Sequence, residues 1–169
     1  MGVSKKKCSH IMLTMRTKII ATASIGGHWK QLLRITRPME ERYEIVYAST
    51  HAGCATMVGK NRFYLMTDFN RNNAWRIVDS FLRAMRMMCK ERPAAVITTG
   101  AAPGLVCLMA AWLMRCKTIW IDSIANAERL SASGRMARRF ASRVYTQWPD
   151  LAQGGVCYAG TVMGREQKN

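Results

Sequence analysis

The chain has 169 residues, and 49% of them are hydrophobic, which is typical of one domain with a substantial core. Twenty-six Lys and Arg residues against ten Asp and Glu residues give a formal net charge of +16, which predicts an acidic partner: nucleic acid, an anionic lipid surface or a phosphate-bearing substrate. Nucleic acid is the weakest of these alternatives, because the aromatic residues are not interleaved with the basic ones and no zinc-finger or RNP-type pattern is present.

The cysteines and the chain ends predict little chemistry. The six cysteines include no C-x-x-C pair and the three histidines have no ligand spacing to them, so no metal site is expected. Cys89, Cys107 and Cys116 lie in apolar segments, which predicts buried, inert thiols. No signal peptide is recognised, and a reducing cytosolic environment is expected. Residues 1–17 are predicted to be a basic tail, 18–160 the folded domain and 161–169 a C-terminal tail.

The first predicted unit is a strand, a glycine turn and a helix. The apolar run Ile19–Ala23 precedes Ser24-Ile25-Gly26-Gly27-His28, and a helix-compatible segment begins at Trp29. Two glycines allow a ligand to approach the backbone closely, and the N–H groups of a helix start favour anionic or hydroxyl-rich groups. The turn lacks the G-x-G-x-x-G spacing, which argues against a nicotinamide or flavin cofactor. His28 is the candidate for proton transfer, and the alternative is a structural role with Nδ1 bonded to a backbone carbonyl.

Strands and helices alternate through the middle of the chain. Strands are predicted at Tyr43–Ala48 and Arg62–Met66, and Asn73 is predicted to cap a helix with one apolar and one charged face. The apolar face comprises Trp75, Val78, Leu82, Met85 and Cys89, and the charged face comprises Arg76, Asp79, Arg83, Arg86 and Lys90.

Residues 94–114 carry no charged side chain and are long enough to suggest a membrane span. Their interior argues against one, because Ala95–Thr99 is β-prone, Gly100–Gly104 has turn chemistry and Leu105–Met114 is helix-prone. We therefore predict a strand, a loop and a buried helix here.

A strand at Lys117–Ile121, a helix at Leu130–Ala141 and a strand at Val144–Thr146 close the predicted series. This alternation predicts an α/β, Rossmann-like fold, with a mostly parallel sheet and helices on both faces. Because ligands bind such sheets at the carboxyl ends of the strands, the loops at 24–28, 99–104 and 122–129 should face one crevice.

Five motifs, in order, carry a resemblance to a known family. They are Ser24-Ile25-Gly26-Gly27-His28, Thr98-Thr99-Gly100-Ala101-Ala102-Pro103-Gly104, Ile119-Trp120-Ile121-Asp122-Ser123, Leu130-Ser131-Ala132-Ser133-Gly134 and Gln147-Trp148-Pro149. Together they resemble the acceptor-side, membrane-associated subunits of split GT-B glycosyltransferases, which include the Alg14-like oligosaccharide biosynthesis proteins and the bacterial PssD-like exopolysaccharide subunits. The resemblance runs from Lys18 to Tyr158. Asp122 stands where the family commonly has Glu, and Asn126 where an Arg is common.

The resemblance implies a fold equivalent to the N-terminal half of a GT-B glycosyltransferase and therefore half of an enzyme. Such a subunit binds the acceptor and recruits the complex to the membrane, and its complex transfers a sugar from a UDP-sugar to a polyprenyl-(pyro)phosphate-linked acceptor. The UDP-sugar is a substrate bound mainly by a donor-binding partner in a heterodimer, and no cofactor is implied. The implied location is peripheral, on the cytoplasmic face of an anionic membrane. The alternatives are a free-standing nucleotide-binding Rossmann-like enzyme and a basic nucleic-acid-binding module.

The resemblance also implies roles for individual residues. His28 would be the base that takes the proton of the acceptor hydroxyl. The implied acceptor-binding residues are Ser24, Gly26, Gly27, Thr99, Gly100, Gly104, Asp122, Ser123, Asn126 and Glu128. Gln147, Trp148 and Pro149, with the C-terminal tail, would dock the partner, and packing within the domain is the alternative for Trp148. Capping of a helix is the alternative for Asp122, Ser123 and Glu128, and packing of a helix on a strand is the alternative for Gly100 and Gly104.

Overall fold

A computed structural model describes residues 16–69, 73 and 75–162, and within them the strands form one parallel sheet. The strands are β1 (Lys18–Ala23), β2 (Glu44–Ser49), β3 (Phe63–Leu65), β4 (Ala95–Thr98), β5 (Lys117–Ile121), β6 (Arg143–Thr146) and β7 (Val156–Tyr158). The α-helices are α1 (Gly27–Thr36), α2 (Arg76–Glu91), α3 (Ala101–Leu113) and α4 (Ala132–Ala137). The strand order β3-β2-β1-β4-β5-β6-β7 confirms the predicted α/β fold.

The strand order reverses between β1 and β4, which pair side by side along Ile19–Thr22 and Ala95–Thr98. One side of the sheet is built outward from β1 and the other outward from β4. In open α/β sheets, ligands bind at such a reversal, outside the carboxyl ends of the strands. The loop after β1 and the loop after β4 meet at this point, so the topology brings together two of the three predicted loops.

Helices cover both faces of the sheet, as predicted. On one face, α1 buries Trp29, Leu32 and Leu33 against apolar side chains of β1, β2 and β4. On the other face, α2 and α3 pack over the same three strands, and α3 and α4 cover β5 and β6 around Trp120 and Val144. Burial on both faces explains why β1, β2 and β4 are almost continuously apolar rather than alternating.

Several predicted boundaries are wrong, each for a local reason. The N-cap of α2 is Trp75 rather than Asn73. α3 begins at Ala101 rather than Leu105, because Gly100 takes a φ of +129° and turns the chain directly into the helix. α4 begins at Ala132 rather than Leu130, since Ser131 caps it by accepting a hydrogen bond from the Gly134 N–H, and it ends at Ala137 rather than Ala141. The short edge strand β7 lies beyond the predicted last strand, and three residues are too few to show periodicity.

The long helix α2 is amphipathic, but its predicted apolar face is not the face that contacts the sheet. The buried residues are Ser80, Ala84, Met87, Met88 and Glu91. Of the predicted apolar face, Trp75, Val78, Leu82 and Cys89 are exposed and Met85 is half-buried. We call Trp75, Val78 and Leu82 the α2 stripe.

The remaining expectations concern three cysteines, the uncharged segment 94–114 and the two tails. Cys107 is buried as predicted, Cys116 is half-buried, and the prediction of a buried thiol is wrong for Cys89. Residues 94–114 contain β4 and α3, and in the described part of the chain no helix is long and apolar enough to cross a membrane. Residues 1–15 and 163–169, which make up most of the two predicted tails, lie outside the described residues.

A buried carboxylate ties the start of β1 and the edge strand β3 to α2. Glu91, at the end of α2, accepts a hydrogen bond from Lys18 Nζ at 2.8 Å, forms an ion pair with Arg62 and accepts a hydrogen bond from the Tyr64 hydroxyl. Burial alone would raise the pKa of Glu91, but the hydrogen bonds from Lys18 and Tyr64 and the charges of Lys18 and Arg62 outweigh it. The net pKa of Glu91 is therefore lower than usual. Burial, together with the hydrogen bond to the same carboxylate, raises the pKa of Tyr64 to about 12.

Replacing Glu91 by Gln should destabilise the fold in a pH-dependent way. We expect a loss of about 1–3 kcal/mol at pH 7, because three donors lose a charged acceptor. A carboxyl group whose pKa is lowered by folding stabilises above its unfolded pKa, and this contribution disappears as the pH falls through the folded pKa. Urea unfolding of the wild type and the Gln variant at pH 7 and pH 3 measures this contribution to the free energy of unfolding. A difference between the two proteins that is as large at pH 3 as at pH 7 would contradict this account.

Candidate functional site

The glycine turn links β1 to α1 at the carboxyl edge of the sheet. Gly26 is the N-cap of α1 and has a φ of +96° and a ψ of −138°, a conformation that residues with a Cβ rarely adopt. No side chain caps this helix start. The first N–H groups of α1 therefore have to be satisfied by water or a ligand.

His28 lies in the first turn of α1 and is fixed by the loop that follows β4. Its Nδ1 lies 2.8 Å from the Thr99 carbonyl oxygen, and the Thr99 hydroxyl donates in return to the His28 carbonyl oxygen at 2.7 Å. A carbonyl oxygen can only accept, so in the neutral imidazole Nδ1 carries the proton and Nε2 carries the lone pair. The half-buried imidazole thus holds the turn.

Two glycines of the second loop make room for other side chains. A Cβ on Gly100 would lie 2.7 Å from His28 Cε1 and 2.8 Å from His28 Nδ1, so the position of the imidazole requires a glycine there. A Cβ on Gly104 would overlap the Thr98 hydroxyl. Gly104 therefore lets α3 pack closely on β4, which matches the packing alternative, whereas Gly100 serves the histidine.

The third loop is anchored by Asp122, a buried residue at the end of β5. Its carboxylate accepts hydrogen bonds from Ser131 N at 2.8 Å, from Ser131 Oγ at 2.6 Å and from Trp120 Nε1 at 3.2 Å. These contacts fix the residue that caps α4, which corresponds to the capping alternative. The Asp122 carboxylate is therefore directed to Ser131 and Trp120.

Two side chains clamp the third loop, and of these sequence analysis missed Gln31. Gln31 of α1 is only 4% exposed. Its Nε2 donates to the Asp122 carbonyl oxygen at 3.0 Å, and the Ile124 N–H points to its Oε1 at 3.4 Å. The Trp148 indole N–H donates to the Ile124 carbonyl oxygen at 2.9 Å. The only sequence signal for Gln31 is an uncharged polar residue beside the core residues Leu32 and Leu33.

The predicted docking residues are partly engaged within the chain. Gln147 is buried, and its Oε1 accepts a hydrogen bond from the Val162 N–H at 2.9 Å, so it holds the start of the C-terminal tail. Trp148 is half-buried because of the contact with Ile124, and Pro149 is exposed. An apolar cleft of about 280 Å³ lies beside them, lined by Ile35, Ile121, Tyr145, Thr146, Gln147 and residues 159–162.

The structure brings the three loops together, but it does not bring every predicted residue to the same crevice. The 24–28 and 99–104 loops bond directly through His28, and Gln31 joins the third loop to α1. Ser123 faces Gly27 across a crevice beside the turn. Ser24 and Asn126 are half-buried, and Asn126 belongs to a turn in which its N–H donates to the Ser123 carbonyl oxygen. Glu128 is exposed farther along the loop.

Comparison with known proteins identifies the family. The family model described as "Oligosaccharide biosynthesis protein Alg14 like" matches residues 68–162, more than half of the chain. The chain belongs to this family. The UDP-N-acetylglucosamine transferase subunit ALG14 of Yarrowia lipolytica is 24% identical to this Alg14-like chain over 163 residues, which cover 80% of the chain and 76% of that protein. The subunit of the same name from Eremothecium gossypii is 35% identical over 82 residues, or 44% of the chain and 36% of that protein.

Solved structures agree with this assignment at the level of the fold. MurG of Acinetobacter baumannii matches with a TM-score of 0.74 and 16% identity over 90% of the Alg14-like chain and 50% of MurG. A UDP-N-acetylglucosamine 2-epimerase of Rickettsia bellii matches with a TM-score of 0.68 and 13% identity over 88% of the chain and 46% of the epimerase. The chain thus spans about half the length of these structures. The predicted likeness to half of a GT-B protein and the Alg14-like resemblance are confirmed, while the PssD-like, exopolysaccharide part stays a prediction.

Proposed function

We propose that the Alg14-like chain is the acceptor-binding, membrane-recruiting subunit of a glycosyltransferase. Its complex would transfer a sugar from a UDP-sugar to a polyprenyl-(pyro)phosphate-linked acceptor. The observation that carries this proposal is the Thr99-oriented imidazole of His28 at the strand-order reversal. The relatives' name, UDP-N-acetylglucosamine transferase subunit, supports the reaction class and favours N-acetylglucosamine as the transferred sugar.

The geometry of His28 suits a base for an inverting transfer. The acceptor hydroxyl oxygen forms a bond to the anomeric carbon as the bond from that carbon to the UDP oxygen breaks. The hydroxyl proton passes to His28 Nε2, and UDP leaves with the electron pair of the broken bond. The Thr99 carbonyl accepts the Nδ1 hydrogen throughout, which keeps the correct tautomer and stabilises the imidazolium that forms.

A donor-binding partner would dock near the C-terminal tail. The support is the apolar cleft beside Tyr145 and Gln147, which borders the third loop and is closed on one side by residues 159–162. A partner seated there would lie across the carboxyl edge of the sheet from His28. Closing that edge would exclude water that could hydrolyse the activated sugar.

Reconstitution tests the proposed function. Purified alone, the chain should bind UDP-N-acetylglucosamine weakly or not at all by calorimetry and should transfer no sugar. Transfer to a polyprenyl-diphosphate-linked acceptor should begin only when a donor-binding companion subunit is added. Tight donor binding and turnover by the isolated chain would contradict this proposal and favour the alternative of a free-standing nucleotide-binding enzyme.

The α2 stripe is our proposed membrane contact. Trp75, Val78 and Leu82 are 76%, 60% and 46% exposed, and the exposed side chains of Arg76 and Arg86 belong to the same helix. Met114, an exposed residue at the end of α3, shares a groove with Cys89 near the other end of α2. A helix with an apolar strip beside basic side chains is typical of one that lies in the plane of an anionic membrane.

The stripe predicts salt-sensitive binding to anionic vesicles. The chain should sediment with phosphatidylserine-containing vesicles at low salt and be released as the ionic strength rises, because screening shortens the range of the attraction. The double change Val78→Asn and Leu82→Asn should reduce sedimentation, whereas Met57→Asn, an exposed apolar residue near α1 on the other face of the sheet, should not. Extraction only by detergent, or equal loss in both variants, would contradict the assignment.

A further inference from the structure

Gln31 connects the helix that carries His28 to the third loop. The two residues are three positions apart on α1, which makes them neighbours on the helix surface, about 4.5 Å apart along its axis. We propose that Gln31 is a positioning residue of the transferase site, whose side-chain amide fixes the separation between His28 and the third loop. This inference rests on the proposed function, because it concerns the position of the proposed base.

The Gln31 amide bonds the loop backbone at two points. Its Nε2 donates to the Asp122 carbonyl oxygen at 3.0 Å, and the Ile124 N–H points to its Oε1 at 3.4 Å. A carbonyl oxygen and the N–H two residues later are groups that an extended chain offers on one side, so the amide binds the loop as a neighbouring strand would. Both the donor and the acceptor of the amide are used. A side chain that lacks either group therefore cannot replace it.

The loop is held at the same residue from a second element. The Trp148 indole N–H donates to the Ile124 carbonyl oxygen at 2.9 Å, so side chains bond both backbone polar groups of Ile124. Gln31 is buried, and leaving these partners without reaching water would cost its amide free energy. The loop position is thus set by contacts within the chain, which spares a substrate the free-energy cost of ordering the loop.

The helix α1 supports both sides of the crevice at the glycine turn. His28 bonds the loop after β4 through the Thr99 carbonyl oxygen, and Gln31 bonds the loop after β5. Ser123, which lies between the two residues that Gln31 bonds, lines this crevice of about 270 Å³ together with Gly27. One turn of hydrogen-bonded helix is rigid, so the Gln31 contacts determine how far the third loop lies from His28. A misplacement of about 1 Å in such a site can cost about 10²-fold in rate.

Removing both bonds with little change in volume tests the role. Gln31→Met should lower the turnover of the reconstituted complex by about 10–10²-fold, because the third loop and His28 no longer keep a fixed separation. The control is Thr36→Val in the same helix, which removes the buried contact between the Thr36 and Tyr47 hydroxyls and leaves the third loop untouched. It should lower the midpoint of urea unfolding and keep full turnover. Equal losses of turnover in the two variants, or none in Gln31→Met, would overturn the positioning role.

The change Gln31→Glu adds a measurement that a purely structural role would leave unchanged. A protonated carboxyl group has one donor and one acceptor and can form both bonds, whereas an ionised one places an acceptor against the Asp122 carbonyl oxygen. Burial favours the protonated form. Turnover relative to wild type should therefore rise as the pH falls from 8 to 5, while that of Gln31→Met should stay constant. Among the described residues, Lys30 and Arg34 are the charged ones that line the crevice beside Gln31, and both keep their charge over this range. A constant ratio for Gln31→Glu would overturn the proposal.

Two measurements separate this proposal from the proposed function. On the isolated chain, Gln31→Met should speed the hydrogen–deuterium exchange of residues 122–126, and Thr36→Val should not. Unchanged exchange in Gln31→Met would show that Gln31 does not hold the loop and would overturn the positioning role, whether or not a complex transfers sugar. Faster exchange in Gln31→Met, together with a wild-type complex that transfers no sugar, would reject the proposed function alone.

Discussion

Replacing His28 by Asn should lower the turnover of the reconstituted complex by about 10²–10⁴-fold, the usual contribution of a general base. The Asn side-chain amide can occupy the position of Nδ1–H and donate to the Thr99 carbonyl, so the contact that holds the turn is retained. No group then stands in the position of Nε2 with a lone pair for the acceptor proton. The measurement is single-turnover transfer at saturating donor, with the midpoint of urea unfolding as the check on the fold.

Comparison with His28→Ala separates the two roles of this residue. If His28 acts as the base, Asn and Ala at this position should be about equally slow. If it serves only to hold the turn, Asn should restore turnover to within a few-fold of wild type while Ala does not. The second pattern would assign His28 to the structural alternative that the sequence left open.

Replacing Gly100 by Ala should slow turnover by about 10²-fold or more through displacement of the His28 ring. The new Cβ would lie within 2.8 Å of two ring atoms, and a φ of +129° is one that L side chains rarely adopt. The imidazole would have to move away from the Thr99 carbonyl, and a small misplacement of a catalytic group is expected to cost about this much. The measurement is the same single-turnover assay.

Two comparisons show whether Gly100 acts through His28. Gly155→Ala is the matched control, because Gly155 has a φ of +86° and no atom within 4 Å of the added Cβ, so it carries the backbone strain without the clash. It should lose some stability and keep full turnover in the complex. The Gly100→Ala, His28→Ala double variant should be no slower than His28→Ala alone, since both changes remove the same interaction. Additive losses would contradict a shared role.

The sheet was predictable from the sequence because its signals are local. β5 lies at Lys117–Ile121 as predicted, and β1, β2, β3 and β4 differ from the predicted runs by only one or two residues at their ends. Each combines an apolar, β-prone run with a clear break on either side. The crevice at the carboxyl edge then followed from topology.

The contacts that organise the site were not predictable in this way, because they join residues far apart in the chain. Gln31 reaches Asp122 across 91 positions, and nothing near Gln31 in the sequence marks that partner. Gly100 could be predicted as a turn residue, but the sequence does not reveal that a Cβ at this position would collide with the His28 ring. Periodicity likewise predicted an amphipathic α2 without revealing which side contacts the sheet, since Ala84, Met87 and Met88 carry that contact.

The mutual hydrogen bonds between His28 and Thr99 have a consequence for the order of folding. They link positions 71 residues apart, and they can form only once β4 has docked against β1. Closing so long a loop is slow compared with forming α1 alone. As the chain leaves the ribosome, β1 and α1 therefore form before the contacts that hold the glycine turn. The imidazole of His28 becomes oriented only when the two halves of the sheet join.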